Sequence, residues 1–225
     1  MLVESAPSGS PIMIPRSKAR LSYVPDRNEM LLSTLMRTPC PYAAGAKGRI
    51  VDAAAPQSIG AYVSWLVAGT ELAGPTDFVA CEVPWIDACP SSPEFSAAIH
   101  DVLLGVVGAG RLYAGIETAS WRLRTDDAEL FPFVMSPGYA TTHPRYLDWP
   151  APVLVLQLED SFTRHGITSR TSRRAALSTT AERRFELAGR EYFGQITRTL
   201  PRSWRVIKPL TSNDPPIAWW PIPGY

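Results

Sequence analysis

The sequence predicts an α/β or α+β domain with one mixed β-sheet packed against helices. Short apolar runs of strand length alternate along the chain with longer segments whose apolar residues recur at helical spacing. At 225 residues, the chain is long enough to bury a sizeable core. No internal repeat or domain boundary is evident. We therefore expect an N-terminal arm, residues 1–28, and a single globular domain, residues 29–225, that ends in a tail rich in proline and tryptophan.

The first half of the chain predicts two helices and two strands in alternation. The apolar residues of each helix fall on one stripe, and proline or glycine follows each element. The expected elements are a helix at 29–37, a strand at 49–53, a helix at 57–72 and a strand at 78–83.

A third helix has the clearest start signal in the sequence. Ser92 is a typical N-cap residue, Pro93 suits the first helical position and Glu94 suits the first turn. The helix should end at the glycines of 108–110. Its expected core face consists of Phe95, Ile99, Val102, Leu103 and Val106.

The second half of the chain predicts three strands, a polar stretch, a helix and an apolar tail. Strands are expected at 121–124, 130–135 and 153–158. Residues 168–180, rich in Ser, Thr and Arg, are interpreted as a flexible loop or lid, and residues 180–200 as a long amphipathic helix. The tail at 204–225 is apolar enough to pack on the body, and it makes a homodimer plausible.

The overall charge and the cysteine content exclude several classes of protein. With 22 basic and 21 acidic residues, the net charge of +1 argues for neither nucleic acid nor a membrane surface as a partner. Three scattered cysteines form neither a disulfide framework nor a zinc motif. No segment reads as a signal peptide or a membrane span. A cytoplasmic protein is therefore expected.

The middle of the chain holds the strongest functional signal. The strands expected at 130–135 and 153–158 are joined by a polar segment that contains Tyr139, His143 and Arg145. Because two rigid strands would support this segment at both ends, its side chains would be held firmly and yet remain accessible. We therefore expect the functional site in this loop.

Histidine and cysteine are the candidate reactive residues, since the common nucleotide-binding, hydrolase and metalloprotease motifs are missing. His143 is a candidate ligand, or else a surface histidine that caps a turn, and Arg145 could pair with a carboxylate. Cys40 lies between two prolines that would hold a ligand or a nucleophile stiffly, although a buried thiol is the commoner outcome. His100 is expected to be half-buried in a packing role, and His165 to lie in a loop.

Several segments, taken in order along the chain, carry a resemblance to a known family. They are Pro39-Cys40-Pro41-Tyr42, the strand and helix of residues 77–107, Leu-Phe-Pro-Phe-Val-Met-Ser-Pro-Gly-Tyr at 130–139 followed by Arg145, and Val-Leu-Val-Leu-Gln at 153–157 with Phe162. Together, over roughly residues 35–165, they resemble the YqcI/YcgG family. The resemblance implies a haem-dependent oxygenase that hydroxylates a nitrogen of a guanidine or related amine in small-molecule biosynthesis. It also implies b-type haem, dioxygen and an external electron donor as reductant.

The sequence departs from this family where Thr142-His143-Pro144-Arg145 replaces its usual Arg-x-Ser-Arg, so the axial ligand cannot be transferred by motif. From residue chemistry we expect His143 to ligate the haem iron, with Tyr139 and Cys40 as rivals and Arg145 near a propionate. An acidic residue, Glu82 or Asp87, would lie near a basic group of the substrate. The alternatives are an enzyme with Cys40 as nucleophile and a histidine base, and a noncatalytic binding protein with an aromatic pocket.

Overall fold

A five-stranded mixed sheet forms the centre of the protein. The structure, a computed structural model, describes residues 25–39, 45–52, 56–68, 75–86, 88–165, 171–194 and 199–221. The strands follow the order β1-β2-β5-β4-β3, in which β1 and β2 are parallel and all other neighbours are antiparallel. They are β1 (Gly48–Asp52), β2 (Phe78–Glu82), β3 (Leu123–Arg124), β4 (Glu129–Met135) and β5 (Val153–Leu158). This confirms the predicted α/β domain with one mixed sheet.

Six α-helices of four or more described residues and one 3₁₀ turn accompany the sheet. They are α1 (Pro25–Met36), α2 (Pro56–Ala68), α3 (Pro93–Val107), α4 (Ala109–Leu112), α5 (Glu159–Arg164), α6 (Thr171–Leu187) and the 3₁₀ turn Arg202–Arg205. Helix α1 begins inside the predicted arm, and the rest of that arm, residues 1–24, lies outside the described residues. None of the described helices is long and apolar enough to cross a membrane.

Both faces of the sheet are buried, because alternate side chains of its central strands enter two different apolar clusters. One cluster contains Val79 and Cys81 of β2 together with the core faces of α2 and α3. The other contains Phe78 and Ala80 of β2 together with Leu31 and Leu35 of α1. The sheet therefore lies between α2 and α3 on one side and α1 on the other.

Helix α3 matches its sequence prediction in detail. Ser92 caps it, with its Oγ accepting a hydrogen bond from the backbone N–H of Phe95 at 3.1 Å, and Pro93 is the first helical residue. The helix ends at Gly108, which has a φ of 76°. Its five expected core residues are all buried: Phe95, Ile99, Val102, Leu103 and Val106.

The prediction for the segment after β5 was wrong in two respects. The described part of the expected loop or lid, 171–180, is helical and belongs to α6, and the amphipathic helix expected to extend to residue 200 ends at Leu187. Gly189 adopts a φ of 66°, and Arg190 N–H donates to the Phe185 carbonyl at 2.8 Å. This closing arrangement satisfies carbonyls of the last turn and directs the chain away from the helix axis.

The tail packs on the body of the same chain, as predicted for 204–221. Trp219 and Trp220 are buried in the cluster that contains α2 and α3, and Trp219 Nε1–H donates to the Ser203 carbonyl at 2.7 Å. Val134 N–H of β4 donates to the Val206 carbonyl at 3.0 Å, so the tail also covers part of the outer side of β4. These tryptophans are therefore used inside the chain rather than exposed for a second copy.

One edge of the sheet brings the predicted functional segments together. Glu82 at the end of β2 pairs with Val153 at the start of β5, and Val153 pairs with Met135 at the end of β4. The β4–β5 loop, residues 136–152, therefore leaves and re-enters the sheet at the edge where Glu82 lies. We call this edge the Glu82 edge.

Candidate functional site

The β4–β5 loop is anchored to the chain that follows β2. Ser136 Oγ donates to the Ala88 carbonyl at 2.6 Å and accepts from Gly138 N–H at 3.1 Å. A Cβ atom on Gly138 would overlap the carbonyl oxygen of Ala88, so only glycine fits this close approach. The anchor fixes the start of the loop and, with it, the position of the residues that follow.

His143 lies inside this loop with both ring nitrogens engaged. Its side chain is almost completely buried, at 2% exposure. Nδ1 accepts a hydrogen bond from the backbone N–H of Arg145 at 3.0 Å, and Nε2 lies 3.1 Å from the carbonyl oxygen of Pro209. Since a carbonyl only accepts, Nε2 carries the proton and donates it. The ring is therefore a neutral imidazole with a fixed tautomer.

Two aromatic rings enclose this imidazole. Tyr139 stacks on it with a centroid distance of 3.9 Å and an interplanar angle of 4°, and Phe193 meets it edge-on at 4.8 Å. Tyr139 Oη–H donates to the Lys208 carbonyl at 2.9 Å. We call Tyr139, His143 and Phe193 the His143 cluster. Its polar atoms bind backbone groups, so it joins the β4–β5 loop to the tail.

The electrostatics of the cluster favour neutral side chains. Burial lowers the pKa of His143 to about 3, and the neighbouring positive charges of Lys208, Arg145 and Arg190 lower it as well. The hydrogen bond to the Pro209 carbonyl raises the pKa, but it does not outweigh these effects. Burial also raises the pKa of Tyr139 well above its ordinary value. At neutral pH, therefore, both rings are uncharged and the phenol retains its proton.

Two of the three predicted haem ligands, His143 and Tyr139, do not fit an iron atom in this arrangement. A haem ligand must offer a lone pair or an anionic oxygen or sulfur, whereas His143 uses both nitrogens and Tyr139 is a neutral, bonded phenol. The guanidinium carbon of Arg145, the predicted propionate partner, lies 4.0 Å from the ring centroid of Phe133. Cys40 lies outside the described residues. Among the described side chains, no three of His, Cys, Asp or Glu form a metal-binding group.

Glu82, predicted to lie near a basic group, holds a guanidinium that belongs to the chain itself. Arg27 Nη2–H donates to Glu82 Oε2 at 2.8 Å and Arg27 Nε–H donates to Oε1 at 3.2 Å. The guanidinium carbon also lies 5.3 Å from the ring centroid of Trp149. We call these three residues the guanidinium contact. Asp87, the other acidic candidate, lies outside the described residues.

The guanidinium contact is open to solvent on one side. The Arg27 side chain is 53% exposed, whereas the Glu82 side chain is 17% exposed. Trp149 is buried among apolar residues of the α1 face of the sheet, so its position is fixed by packing. The carboxylate and the indole are therefore held by the body of the protein, whereas the arginine side chain that contacts them is largely exposed.

A shallow cleft of about 700 Å3 lies beside the loop. Glu191 N–H donates to the Thr142 carbonyl at 2.8 Å, which joins the loop to the segment after α6. The cleft is lined by Thr142 of the loop and by polar side chains of α6 and of this segment: Glu182, Glu186, Arg190, Glu191 and Tyr192. Sequence reasoning missed this cleft, because it placed a continuous helix where α6 ends and the chain turns back.

The other two histidines lie in different places. His100 on α3 is half-buried, as predicted, with Nε2 2.6 Å from the Tyr113 hydroxyl. His165 follows α5 at the opposite edge of the sheet, where its Nε2 lies 3.1 Å from Oδ2 of Asp77. Asp77 is buried, also accepts from Lys47 N–H and from Arg164, and has a lowered pKa because these hydrogen bonds outweigh its desolvation. No sequence motif marks Asp77.

Sequence reasoning also missed Arg27 and Trp149 as partners of Glu82. Arg27 is 55 residues away from Glu82 in the chain, and no local pattern joins them. Trp149 carried a weak signal, because it lies in the loop that was predicted to be functional. In comparison with known proteins, no family model, no curated protein and no solved structure matches this chain.

Proposed function

We propose that this chain is a cytoplasmic oxygenase that hydroxylates a nitrogen of a small molecule bearing a guanidine or an amine. The observation that carries the proposal is the guanidinium contact. Glu82 was expected to lie near a basic group of the substrate, and its carboxylate binds a guanidinium through two hydrogen bonds. The proposal therefore assigns Glu82 the role of binding the cationic end of the substrate.

The chemistry of the contact suits this role. Two N–H donors of a guanidinium match the two oxygens of a carboxylate, which gives orientation as well as binding. An indole face attracts the same cation through its ring electrons. Glu82 ends a strand of the parallel pair β1–β2, and ligands of α/β sheets commonly bind beyond the carboxyl ends of such strands.

The haem part of the proposal rests on the sequence resemblance. Haem would supply the activation of dioxygen, with electrons from an external donor. Since His143 and Tyr139 are committed to backbone partners, we propose Cys40 as the ligand, the third of the candidates named from the sequence. A thiolate ligand would donate electron density to the iron and favour cleavage of the O–O bond.

An absorption spectrum of the full chain with added hemin tests this proposal. We expect a stoichiometric Soret band that shifts when the reduced protein binds carbon monoxide. Cys40→Ala should abolish or shift the band, whereas the matched control Cys89→Ala should leave it unchanged. Protein that stays colourless after hemin is added would exclude the oxygenase, and a normal spectrum for Cys40→Ala would exclude Cys40 as ligand.

A noncatalytic protein that binds a cationic small molecule is the second candidate. The full engagement of the His143 cluster favours it, because neither His143 nor Tyr139 is set up to exchange a proton with a ligand. The same engagement counts against His143 as the base for a Cys40 nucleophile. Colourless protein that binds L-arginine with saturation and leaves it unchanged in the presence of dioxygen and a reductant would support this candidate.

A further inference from the structure

The guanidinium contact raises the question of how a ligand could reach Glu82 at all. Both carboxylate oxygens already accept hydrogen bonds from Arg27, and the guanidinium lies beside the face of Trp149. A second cation at the same carboxylate would repel the first. A free ligand and the Arg27 side chain therefore compete for one position.

The two sides of this contact are held very differently. Glu82 is the last residue of β2, a central strand with hydrogen-bonded neighbours on both sides, and Trp149 packs in an apolar cluster. Arg27 belongs to the first turn of α1, and more than half of its side chain is exposed. Helix α1 itself is fixed by Leu31 and Leu35, which are buried on the sheet. Only the arginine side chain has to rotate for the position to open.

We propose that Arg27 is an internal competitor that occupies the site where Glu82 and Trp149 bind a guanidinium-bearing ligand, so that this ligand binds only when the Arg27 side chain has left. The inference rests on the proposed function for the class of ligand. It adds that ligand binding is regulated by a side chain of the protein itself, Arg27 of α1. The apparent affinity for the ligand equals the intrinsic affinity multiplied by the fraction of molecules in which Arg27 is displaced.

If Arg27 competes with the ligand, replacing its side chain should increase the affinity of the protein for the ligand. Arg27→Gln leaves α1 and the carboxylate in place but takes away the competing charge. We expect L-arginine to bind this variant about three to six times more tightly than it binds the original chain, since an exposed ion pair of ordinary strength keeps the site occupied in most molecules and lowers the apparent affinity by that factor.

Calorimetric titration of four full-length proteins with L-arginine tests the inference, with L-citrulline as the uncharged analogue. The proteins are the original chain, Arg27→Gln, Glu82→Gln and the double variant. Arg27→Gln should gain affinity, and Glu82→Gln and the double variant should lose it. L-citrulline should bind all four weakly and equally. Arg27→Ala repeats the test with a shorter side chain, and circular dichroism checks that each variant is folded.

Equal affinity of the original chain and Arg27→Gln for L-arginine would overturn the competition, as would a failure of both to bind it. These results are distinguishable from a failure of the proposed function. If Arg27→Gln binds L-arginine more tightly but the protein takes up no haem, the proposed competition is supported and the proposed oxygenase function is excluded. If haem binds normally and the original chain and Arg27→Gln bind L-arginine equally, the proposed competition is excluded and the oxygenase function remains supported.

Discussion

Two groups of side chains at the Glu82 edge use similar chemistry in opposite ways. The His143 cluster joins an imidazole to two aromatic rings in a buried space, and its polar atoms bind backbone groups of the same chain. The guanidinium contact joins a cation to a carboxylate and an indole, but its cation comes from a largely exposed side chain. The first group is sealed, and the second can exchange its occupant.

This difference shows that burial and hydrogen-bond satisfaction separate a structural role from a binding role more sharply than residue type does. Histidine is the commonest metal ligand, which is why His143 ranked first from the sequence. A ligand atom needs a free lone pair, however, and the cluster leaves none on His143. An exposed ion pair contributes little to stability, so its geometry is easily given up to a ligand.

The largest effect on stability is expected from His143→Ala. The variant removes two hydrogen bonds, leaves the Pro209 carbonyl and the Arg145 N–H without their partner, and opens a space between two rings. We expect a loss of roughly 2–5 kcal/mol in the free energy of unfolding, measured by urea denaturation. His100→Ala is the matched control on a half-buried histidine. A similar loss in both variants would show that the cluster is not a special anchor.

The free energy of unfolding should depend on pH because His143 is buried as a neutral ring. The pKa of His143 is lowered to about 3 in the folded protein from an ordinary value of 6.5, so only the unfolded chain takes up a proton between these values. The contribution of the neutral ring is therefore complete above pH 6.5 and is lost as the pH falls toward 3. The slope approaches about 1.4 kcal/mol per pH unit.

Urea denaturation at pH 7, 6 and 5 measures this slope, with His143→Gln as the comparison. The variant retains a polar side chain but does not titrate, so the difference in unfolding free energy between the two proteins should narrow by about 2 kcal/mol down to pH 5. Since the two proteins differ only at residue 143, the comparison isolates this histidine. A constant difference over this range would contradict a buried neutral His143.

A smaller effect is expected from Tyr139→Phe. The change removes only the hydroxyl that donates to the Lys208 carbonyl and retains the ring that stacks on His143. A loss of about 1–2 kcal/mol is expected, because a buried carbonyl is left without its donor. Thermal unfolding of this variant beside Tyr113→Phe, which alters a more exposed phenol, measures the difference. Equal stability of Tyr139→Phe and the original chain would contradict the described hydrogen bond.

The smallest effect on stability is expected from Arg27→Gln. An ion pair with one largely exposed partner contributes below about 1 kcal/mol, and added salt weakens it further. The free energy of unfolding should therefore change little, while the affinity for L-arginine rises several-fold. A loss of stability comparable to that of His143→Ala would assign the pair to the structure rather than to binding.

Local patterns predicted most of the fold, and they failed where a distant contact or a backbone turn decided the outcome. Helix α3 was predicted down to its core residues, since Ser92 and Pro93 define its start and Gly108 its end. Helix α6 was misplaced, because the helical residues of 171–180 were read as a polar loop and the turn at Gly189 was overlooked. The local sequence of a polar segment such as 171–180 does not show whether the segment forms a helix in the folded protein.

The candidate site was predicted less completely than the fold. The sequence indicated the β4–β5 loop by its position between two strands, whereas the role of Glu82 or Asp87 near a basic group came from the family resemblance and stays a prediction. The hydrogen bonds of His143 to Pro209 and of Glu82 to Arg27 join residues 66 and 55 positions apart. Only the folded chain brings such partners together, so the sequence could not reveal that one residue was committed and the other exchangeable.

The most direct test of the difference between the two groups is one titration observed by nuclear magnetic resonance. Arg27→Gln labelled with ¹⁵N is titrated with L-arginine, and the Trp149 indole resonance, assigned by its loss in Trp149→Phe, is followed together with the His143 imidazole. We expect a saturable shift of the Trp149 signal while the His143 signal remains unchanged. A shift at His143 with none at Trp149 would contradict the account, because the sealed cluster would then be the binding site.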